Sequence, residues 1–289
     1  MDGGKQLARR IRSARNISQI TGAMEAVAAS KMKKAQAIAA GGQPYQEMLG
    51  MVAGQLRRQA GGDFGHPLLI QTESQAAKPK LHILISSDKG LCGGLNSNLF
   101  RLAERAIPAS GPVIAVGRKA VDYCHKTNWE MVGANPEIGD KPDYSQTKPS
   151  SAIAMEEFLA RRVSSVVLIY QKFHNTLTQR PTADTLLPVQ LKTVEEEMKM
   201  FNLNYIFKPG RQELLADLLP YYVHMSLYQA VVSAKAAEQS ARMIAMKTAS
   251  DNAEDVRGNL QLLYNQKRQE MITAEISDVV TAGMALYEK

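Results

Sequence analysis

The last quarter of the chain, residues 212–289, is the feature that most constrains the fold. It has no proline after Pro220 and is rich in Ala, Leu, Met, Glu, Gln, Lys and Arg, which favour helices. Apolar positions recur at steps of three and four over Leu214, Leu218, Tyr221, Met225, Tyr228 and Val232. The pattern resumes at Leu260 and Leu263, and then at Ile272, Ile276, Val279, Gly283 and Leu286. A continuous helix of this length would span about 110 Å, which predicts a coiled coil or a shaft.

A second long helix is predicted at the opposite end, over residues 4–58. Its apolar positions again step by threes and fours, and they are Leu7, Ile11, Ala14, Ile17, Ile20, Met24 and Val27. Gly41, Gly42 and Pro44 predict an interruption or a kink. Because both terminal helices need a partner for their apolar stripe, we expect them to pair as a long antiparallel coiled coil.

The middle of the chain shows a different pattern, in which short apolar runs alternate with helical segments. The predicted strands are 81–85, 112–116, 163–170 and 185–191, the predicted helices are 95–107, 118–127 and 151–162, and Trp129 lies in a further short strand. Residues 134–150 contain three prolines and predict a loop. Pro188 places the last strand at a sheet edge. The alternation predicts a small α/β domain with a mostly parallel sheet.

The predicted organisation is therefore an α/β domain inserted between the two strands of a coiled coil. The N-terminal coiled-coil helix covers residues 1–58, a loop covers 59–78, the α/β domain covers 79–209, and the C-terminal coiled-coil helix covers 210–289. The C-terminal helix is longer by about twenty residues, so its tip is expected to project beyond its partner.

Charge and cysteine content narrow the class of protein. The net charge is +7, and the first 34 residues hold eight Lys and Arg against only Asp2 and Glu25. Such a helix can bind nucleic acid, an anionic membrane surface or an acidic protein, or it can be a solvated face. Two cysteines without metal-ligand spacing favour reduced thiols. The first residues lack the apolar core of a signal peptide, and no run approaches the roughly 18 to 20 apolar residues of a membrane span, so we expect neither.

A search for chemistry finds one candidate motif, which we call the glycine turn: residues 87–96, Ser-Asp-Lys-Gly-Leu-Cys-Gly-Gly-Leu-Asn. It follows a predicted strand, where nucleotide-binding folds place a phosphate loop. Its spacing matches neither phosphate-binding pattern, so a tight strand-to-helix turn is the favoured interpretation. The five histidines are scattered, and we predict no catalytic residue, no metal site and no cofactor.

Three segments together resemble the γ subunit of F-type ATP synthases. They are residues 11–33 (IRSARNISQITGAMEAVAASKMK), the end of the first strand with the glycine turn (86–96), and residues 238–276, which include EQSARMIAMKTASDN, LQLLYN and RQEMITAEI. The resemblance covers both helices and the domain between them. It implies the same fold class, a long antiparallel coiled coil with an inserted small Rossmann-like α/β domain.

The resemblance also implies a function: a non-catalytic rotor that carries torque between the membrane c-ring and the catalytic β subunits. The implied partners are the α and β subunits, the ε subunit and the c-ring, at the cytoplasmic face of a bacterial plasma membrane. The coupling ion, proton or sodium, stays open. The implied contacts to α and β are Met24, Lys31, Arg242, Arg268, Gln269, Thr273 and Glu275, and those to the c-ring and ε are Tyr205, Phe207 and Lys208.

Three positions depart from the family pattern. Lys208 stands where the family often has Glu, Ala282-Gly283 replaces Gly-Ala, and Lys89 replaces a common Arg. Two other functions stay open on the residues alone. One is a basic coiled-coil protein that binds nucleic acid, and the other is a small enzyme that uses the glycine turn as its ligand site.

Overall fold

The computed structural model describes residues 2–59, 66–70, 73–191, 208 and 210–287. In chain order the elements are α1 (Asp2–Gln59), α2 (Glu73–Ala76), β1 (Lys80–Ile85), α3 (Leu95–Ala106), β2 (Pro112–Val116), α4 (Arg118–Cys124), β3 (Glu130–Asn135), α5 (Tyr144–Leu159), β4 (Ser165–Phe173), β5 (Gln179–Leu187) and α6 (Arg211–Tyr287). A long helix at each end and a mixed α/β part between them confirm the predicted fold class. The chain divides into unit 1 (Met1–Val27 and Met243–Lys289) and unit 2 (Ala28–Arg242).

Unit 2 contains a five-stranded sheet with the order β3-β2-β1-β4-β5. The first four strands in the chain pair in parallel, and β5 pairs antiparallel with β4 at the edge. All five residues of β2, Pro112–Val116, are buried. Parallel strands covered on both faces are expected to be apolar throughout, which explains why the short continuous runs were the strand signal in the sequence.

Two apolar clusters cover the two faces of this sheet. Leu81, Ile83 and Ile85 of β1 belong to one cluster together with side chains of α5 and α6, whereas Leu84 belongs to the other, with α3 and α4. This alternation follows from the period of two along a strand. Helix α6 contributes four of the fully buried side chains on its face of the sheet: Leu215, Leu219, Val223 and Leu227.

In unit 2, α1 and α6 pair in antiparallel directions. Gln229 Nε2 donates to the Ala39 carbonyl at 2.8 Å, and Gln46 Nε2 donates to Ser226 Oγ at 3.2 Å. Residue numbers therefore fall along α6 as they rise along α1. Both hydrogen bonds join polar groups of the two helices. They define the axial register between α1 and α6 more precisely than apolar packing alone does.

Unit 1 shows the same antiparallel arrangement between the first part of α1 and the last part of α6. Ser250 Oγ donates to the Ser18 carbonyl at 3.2 Å. A Cβ built on Gly4 would lie 3.4 Å from Met271 Cε, so these two positions also face each other. Small residues at this contact allow the two backbones to approach closely.

The apolar stripe predicted for α1 is only partly buried. Ile17, Ile20 and Val27 are more than half exposed, whereas Ala14 and Ala28 are buried. The pattern was misassigned because the contact with α6 uses Ala, Ser and Gly, which score as weak apolar signals. The large apolar side chains lie on the outer surface of unit 1, where they are available to another protein.

Helix α1 continues through Pro44, so the predicted interruption is wrong. Proline lacks the backbone N–H that donates within a helix, and it is therefore unfavourable in a helix interior. The pairing of Gln46 with Ser226 and of Ala39 with Gln229 on either side of Pro44 stabilises the helix across this position.

Among the element boundaries in the α/β part that differ from the prediction, those of α5 and β5 differ most. Helix α5 begins at Tyr144, inside the predicted loop, because Asp143 and Gln146 form a capping box that starts the helix before Pro149. Strand β5 lies at Gln179–Leu187, and Pro188 follows its end. The edge position was correct, and this strand accepts Pro181 because one side of an edge strand needs no ladder hydrogen bonds.

His82 predicts a pH dependence of stability. Its imidazole is buried in β1, and burial lowers its pKa from 6.5 to about 4. The unfolded chain therefore binds more protons between these two values, so the free energy of unfolding is fully retained above pH 6.5 and falls by up to about 3 kcal/mol as the pH drops through 4. Urea denaturation at pH 7 and pH 4.5 should show this fall, and His82→Gln should reduce it. An equal fall in the variant would contradict the assignment.

Candidate interaction sites

The glycine turn joins the end of β1 to α3 through a compact set of hydrogen bonds. Ser87 Oγ donates to the Lys89 carbonyl at 2.8 Å, and Asn96 Nδ2 donates to Ser87 Oγ at 2.7 Å. Leu91 and Gly93 both have positive φ, 61° and 59°. These features are those of a tight strand-to-helix turn, the interpretation favoured by its spacing.

A buried group of four charged side chains lies against this turn, and we call it the ionic cluster: Asp88, Lys235, Glu238 and Arg242. Lys235 Nζ lies 3.3 Å from Asp88 Oδ2 and 2.9 Å from Glu238 Oε2, and Arg242 Nη1 lies 2.9 Å from Glu238 Oε1. The side chains of Lys235 and Glu238 are each only 5% exposed. Two cations and two anions balance, which is the condition under which charges are found buried.

Arg242 also binds the backbone of the glycine turn. Its Nη2 donates to the carbonyls of Lys89 and Gly90, both at 3.1 Å, and its Nε lies 3.3 Å from the Gly90 carbonyl. With the bond to Glu238, four of the five guanidinium donors are used inside unit 2. The structure thus brings together the glycine turn and α6, which are far apart in the chain, and it directs Arg242 inward.

Sequence reasoning missed Asp88, Lys235 and Glu238 as members of this site. A signal was present, since Lys235, Glu238 and Arg242 follow one another at steps of three and four on one face of α6. They interrupt a run of small and apolar residues that is otherwise typical of a buried helix. Charged residues at buried helical positions are unusual unless they are paired.

Cys92 lies within the glycine turn and is buried. Burial raises the pKa of its thiol above the ordinary value. A raised pKa reduces the thiolate fraction at neutral pH, and the thiolate is the nucleophilic form. The geometry therefore favours a structural thiol.

Two predicted contacts lie on α1, one in each unit. Met24 is half-buried, and Lys31 donates to Asp140 Oδ2 at 2.7 Å. This hydrogen bond lowers the pKa of the Asp140 carboxyl. The pair is substantially exposed, and Lys31 uses one of its three donors, so two remain for another partner.

The other predicted contacts to α and β lie on the last part of α6, where the side chains of Arg268, Gln269, Thr273 and Glu275 are all exposed. Large apolar side chains are exposed in the same unit, and they are Ile17, Ile20, Val27, Val256, Leu262, Leu263, Ile272, Ile276, Val279 and Val280. Polar and large apolar exposed groups on one helix pair are typical of a protein interface.

Of the predicted contacts to the c-ring and ε, Lys208 is exposed. Tyr205 and Phe207 lie outside the described residues. Within the described ranges, no group of three or more His, Cys, Asp or Glu side chains could hold a metal ion. No described helix has a segment both long and apolar enough to cross a bilayer.

Comparison with known proteins shows what this chain is similar to. A protein-family model described as ATP synthase matches residues 3–286. The ATP synthase gamma chain of Dehalococcoides mccartyi (strain CBDB1) is 41% identical over 284 residues, which cover 96% of this chain and 97% of that protein. The ATP synthase gamma chain of Xanthomonas oryzae pv. oryzae (strain PXO99A) is 38% identical and covers 99% of this chain and 100% of that protein.

Solved structures show the same fold at lower identity. A chain of the Euglena gracilis mitochondrial ATP synthase, in a structure of OSCP/F1/c-ring in rotational state 3, matches with a TM-score of 0.67 at 16% identity and covers 98% of this chain and 94% of that one. A chain of the Tetrahymena thermophila mitochondrial ATP synthase central stalk/c-ring matches with a TM-score of 0.53 at 23% identity, over 80% of this chain and 99% of that one.

Proposed function

Because this chain belongs to the ATP synthase gamma-chain family, we propose that it is the central-stalk rotor subunit of an F-type ATP synthase. In this role it carries torque between a membrane c-ring and the catalytic β subunits, and thereby couples ion flow to ATP synthesis or hydrolysis. The observation that carries the proposal is the antiparallel pair of long helices whose large apolar side chains remain exposed in unit 1.

The physical requirements of a rotor agree with this chain. A single helix bends easily, whereas two paired helices stiffen each other. The exposed side chains of the two helices differ, so identical subunits arranged around them meet different surfaces. Each orientation then stabilises one conformation of a neighbouring catalytic site by differential contact, which is the only way in which binding can shift a conformational equilibrium. The names of the relatives favour this role over nucleic-acid binding.

The chain is a non-catalytic subunit, so its side chains act by contact. We propose that the surface facing α and β includes Met24, Lys31, Arg242, Arg268, Gln269, Thr273 and Glu275. The exposed polar groups on α6 are free to bind within the complex. Lys31 can contribute its two remaining donors, whereas Arg242 has a single N–H left outside its intramolecular bonds.

We propose that Tyr205, Phe207 and Lys208 face the c-ring and ε. The lysine is exposed and positively charged, in a family that often has an acid at this position. We further propose that the whole complex places the chain peripherally at the cytoplasmic face of a bacterial plasma membrane, with proton or sodium as the coupling ion. Bacterial relatives over nearly the full length support this location.

The proposed function is tested by rotation of the chain in an assembly with its own α and β subunits. Leu177 is 81% exposed in the turn between β4 and β5, and Cys92 and Cys124 are buried. Leu177→Cys therefore provides one accessible thiol for a bead or a fluorophore. With α and β fixed to a surface, ATP is expected to drive rotation of the probe in one direction.

Leu177→Ser is the matched control, because it changes the same exposed position without adding a thiol. It should assemble equally well and carry no probe. If the assembly hydrolyses ATP while the probe on Leu177→Cys stays still, the proposed function is wrong. The same holds if the chain does not assemble with α and β at all.

A further inference from the structure

Helix α6 is attached to the α/β part by two different kinds of contact. Residues Leu215, Leu219, Val223 and Leu227 pack into the apolar cluster on one face of the sheet. The polar side chains of residues 233–242 instead contact the last residue of β4 and the loops that follow β1 and β4. The first region of α6 is therefore held by apolar packing, which is non-directional, and the second by hydrogen bonds and ion pairs, which are directional.

The polar contacts reach two loops. Ser240 Oγ donates to the Thr176 carbonyl at 2.6 Å in the turn between β4 and β5, and Gln179 Nε2 lies 3.3 Å from Ser240 Oγ. On the side of the glycine turn, the ionic cluster makes the connection through Asp88 and through the carbonyls bound by Arg242. One helical segment is thus fastened on two sides.

Apolar packing resists separation of a helix from a sheet, but it is non-directional. It resists small rotation about the helix axis and sliding along it less sharply than contacts with a defined distance and angle do. Hydrogen bonds and ion pairs weaken steeply when their distance or angle changes. The ionic cluster therefore opposes the movements that apolar contacts permit, and those are the movements that torque on α6 would produce.

Glu238 holds the cluster together. Its two carboxylate oxygens bind different cations, Oε2 with Lys235 and Oε1 with Arg242. Lys235 continues to Asp88, and Arg242 continues to the backbone of the glycine turn. Two separate connections to the same turn thus meet at one side chain. Removing Glu238 leaves two buried cations side by side without their shared anion.

We propose that the ionic cluster is the joint that fixes the rotational and axial position of α6 against the α/β part, and that Lys235 and Glu238 are its positioning residues. The inference rests on the proposed function, since a joint of this kind matters only when torque passes through α6. A buried cluster of charges is a poor source of stability compared with apolar side chains of the same volume. Its directional contacts explain its presence better than stability does.

The decisive variant is the double change Lys235→Met with Glu238→Gln. It removes one cation and one anion, so the remaining Asp88 and Arg242 stay balanced. Replacement of a buried ion pair by neutral groups is often neutral for stability, and we expect the thermal midpoint of the assembled complex to match that of the wild type. Ion transport per ATP hydrolysed, measured in membrane vesicles, should nevertheless fall. The reason is that α6 can then move against the α/β part when torque acts on it.

Hydrogen exchange in the same complex reports the joint directly. Amides of residues 88–90 and 235–242 should exchange roughly tenfold faster in the double variant, because local opening becomes easier. The single variant Lys235→Arg keeps the positive charge beside Glu238. Its hydrogen exchange and its coupled transport should therefore match those of the wild type. Glu254→Gln is the matched control, since Glu254 forms an exposed ion pair with Arg257 on the same helix, and it should behave like the wild type.

Normal coupled transport in a stable double variant would overturn the inference, as would unchanged exchange at residues 88–90 and 235–242. If the double variant does not assemble, the single change Glu238→Asp, which keeps the negative charge but shortens its reach to Lys235 and Arg242, is measured in the same way with the same criteria. Measurements on the wild-type chain distinguish a failure of this inference from a failure of the proposed function. A complex whose transport does not depend on the wild-type chain refutes the proposed function, whereas a difference confined to the variants concerns the joint alone.

Discussion

Replacing Gly117 by alanine is expected to lower the free energy of unfolding by about 3 kcal/mol or more. Gly117 has φ +93° and ψ 146°, a region that is essentially restricted to glycine. A Cβ at this position would lie 2.3 Å from the Ser86 carbonyl oxygen, which is a backbone atom. Rotation of a side chain cannot relieve this contact, so the ends of β1 and β2 would have to move apart. Urea denaturation of the purified chain measures the loss.

Gly139→Ala is the matched control. Gly139 also has positive φ, 71°, but a Cβ there would meet nothing within 4 Å. Gly139→Ala should therefore lower the free energy of unfolding only by the strain of the left-handed backbone conformation, about 1 kcal/mol. Similar losses in both variants would show that the close approach to Ser86 does not determine the stability of this strand-to-helix connection. Stability of Gly117→Ala equal to the wild type would contradict the geometry itself.

The second prediction concerns function rather than folding. Ile276→Asp should leave the stability of the isolated chain within about 0.5 kcal/mol, because Ile276 is 59% exposed. In the assembled complex the same change should weaken the affinity for α and β by roughly tenfold or more. The reason is that a carboxylate would replace an apolar contact at a desolvated interface. Titration of the α and β subunits with a labelled chain measures the affinity, and urea denaturation of the isolated chain measures its stability.

Ala274→Asp controls for the added charge. Ala274 is exposed on the same helix and lies two residues before Ile276, so its side chain projects about 160° away around the axis. It should retain most of the affinity. An equal loss in both variants would indicate a general electrostatic effect, and no loss in Ile276→Asp would remove the last part of α6 from the proposed interface.

Much of this architecture could be predicted because its signals are local. The abundance of helix-favouring residues in the last quarter and the absence of proline after Pro220 predict α6, and the continuous apolar runs predict β1, β2 and β4. Both signals come from residues close together in the chain. Errors arose where local signals conflict, as at α5, where a capping box at Asp143 overrides Pro149. In α1 the large apolar side chains of Ile17, Ile20 and Val27 likewise suggested a buried face, although they are exposed and the small residues Ala14 and Ala28 are buried.

The candidate sites were predictable only in part. The resemblance identified Arg242 and the glycine turn, yet it did not reveal that one binds the other. Exposure of Ile276 and Val279 could not be distinguished from burial in a helix pair, because apolar spacing looks the same whether the partner is within the chain or in another protein. The sequence pattern therefore identified a helix face without its partner.

By itself, the sequence determined the kind of element over most of the chain and the order of long helix, α/β part and long helix. Those properties depend on backbone preferences and on apolar spacing within a few residues. Only the tertiary structure decided that Lys235 meets Asp88, which lies 147 positions earlier, and that Arg242 faces the glycine turn instead of solvent. Contacts of this kind depend on the packing of the sheet against α6, and charge pairing across such a distance leaves no periodic trace in the chain.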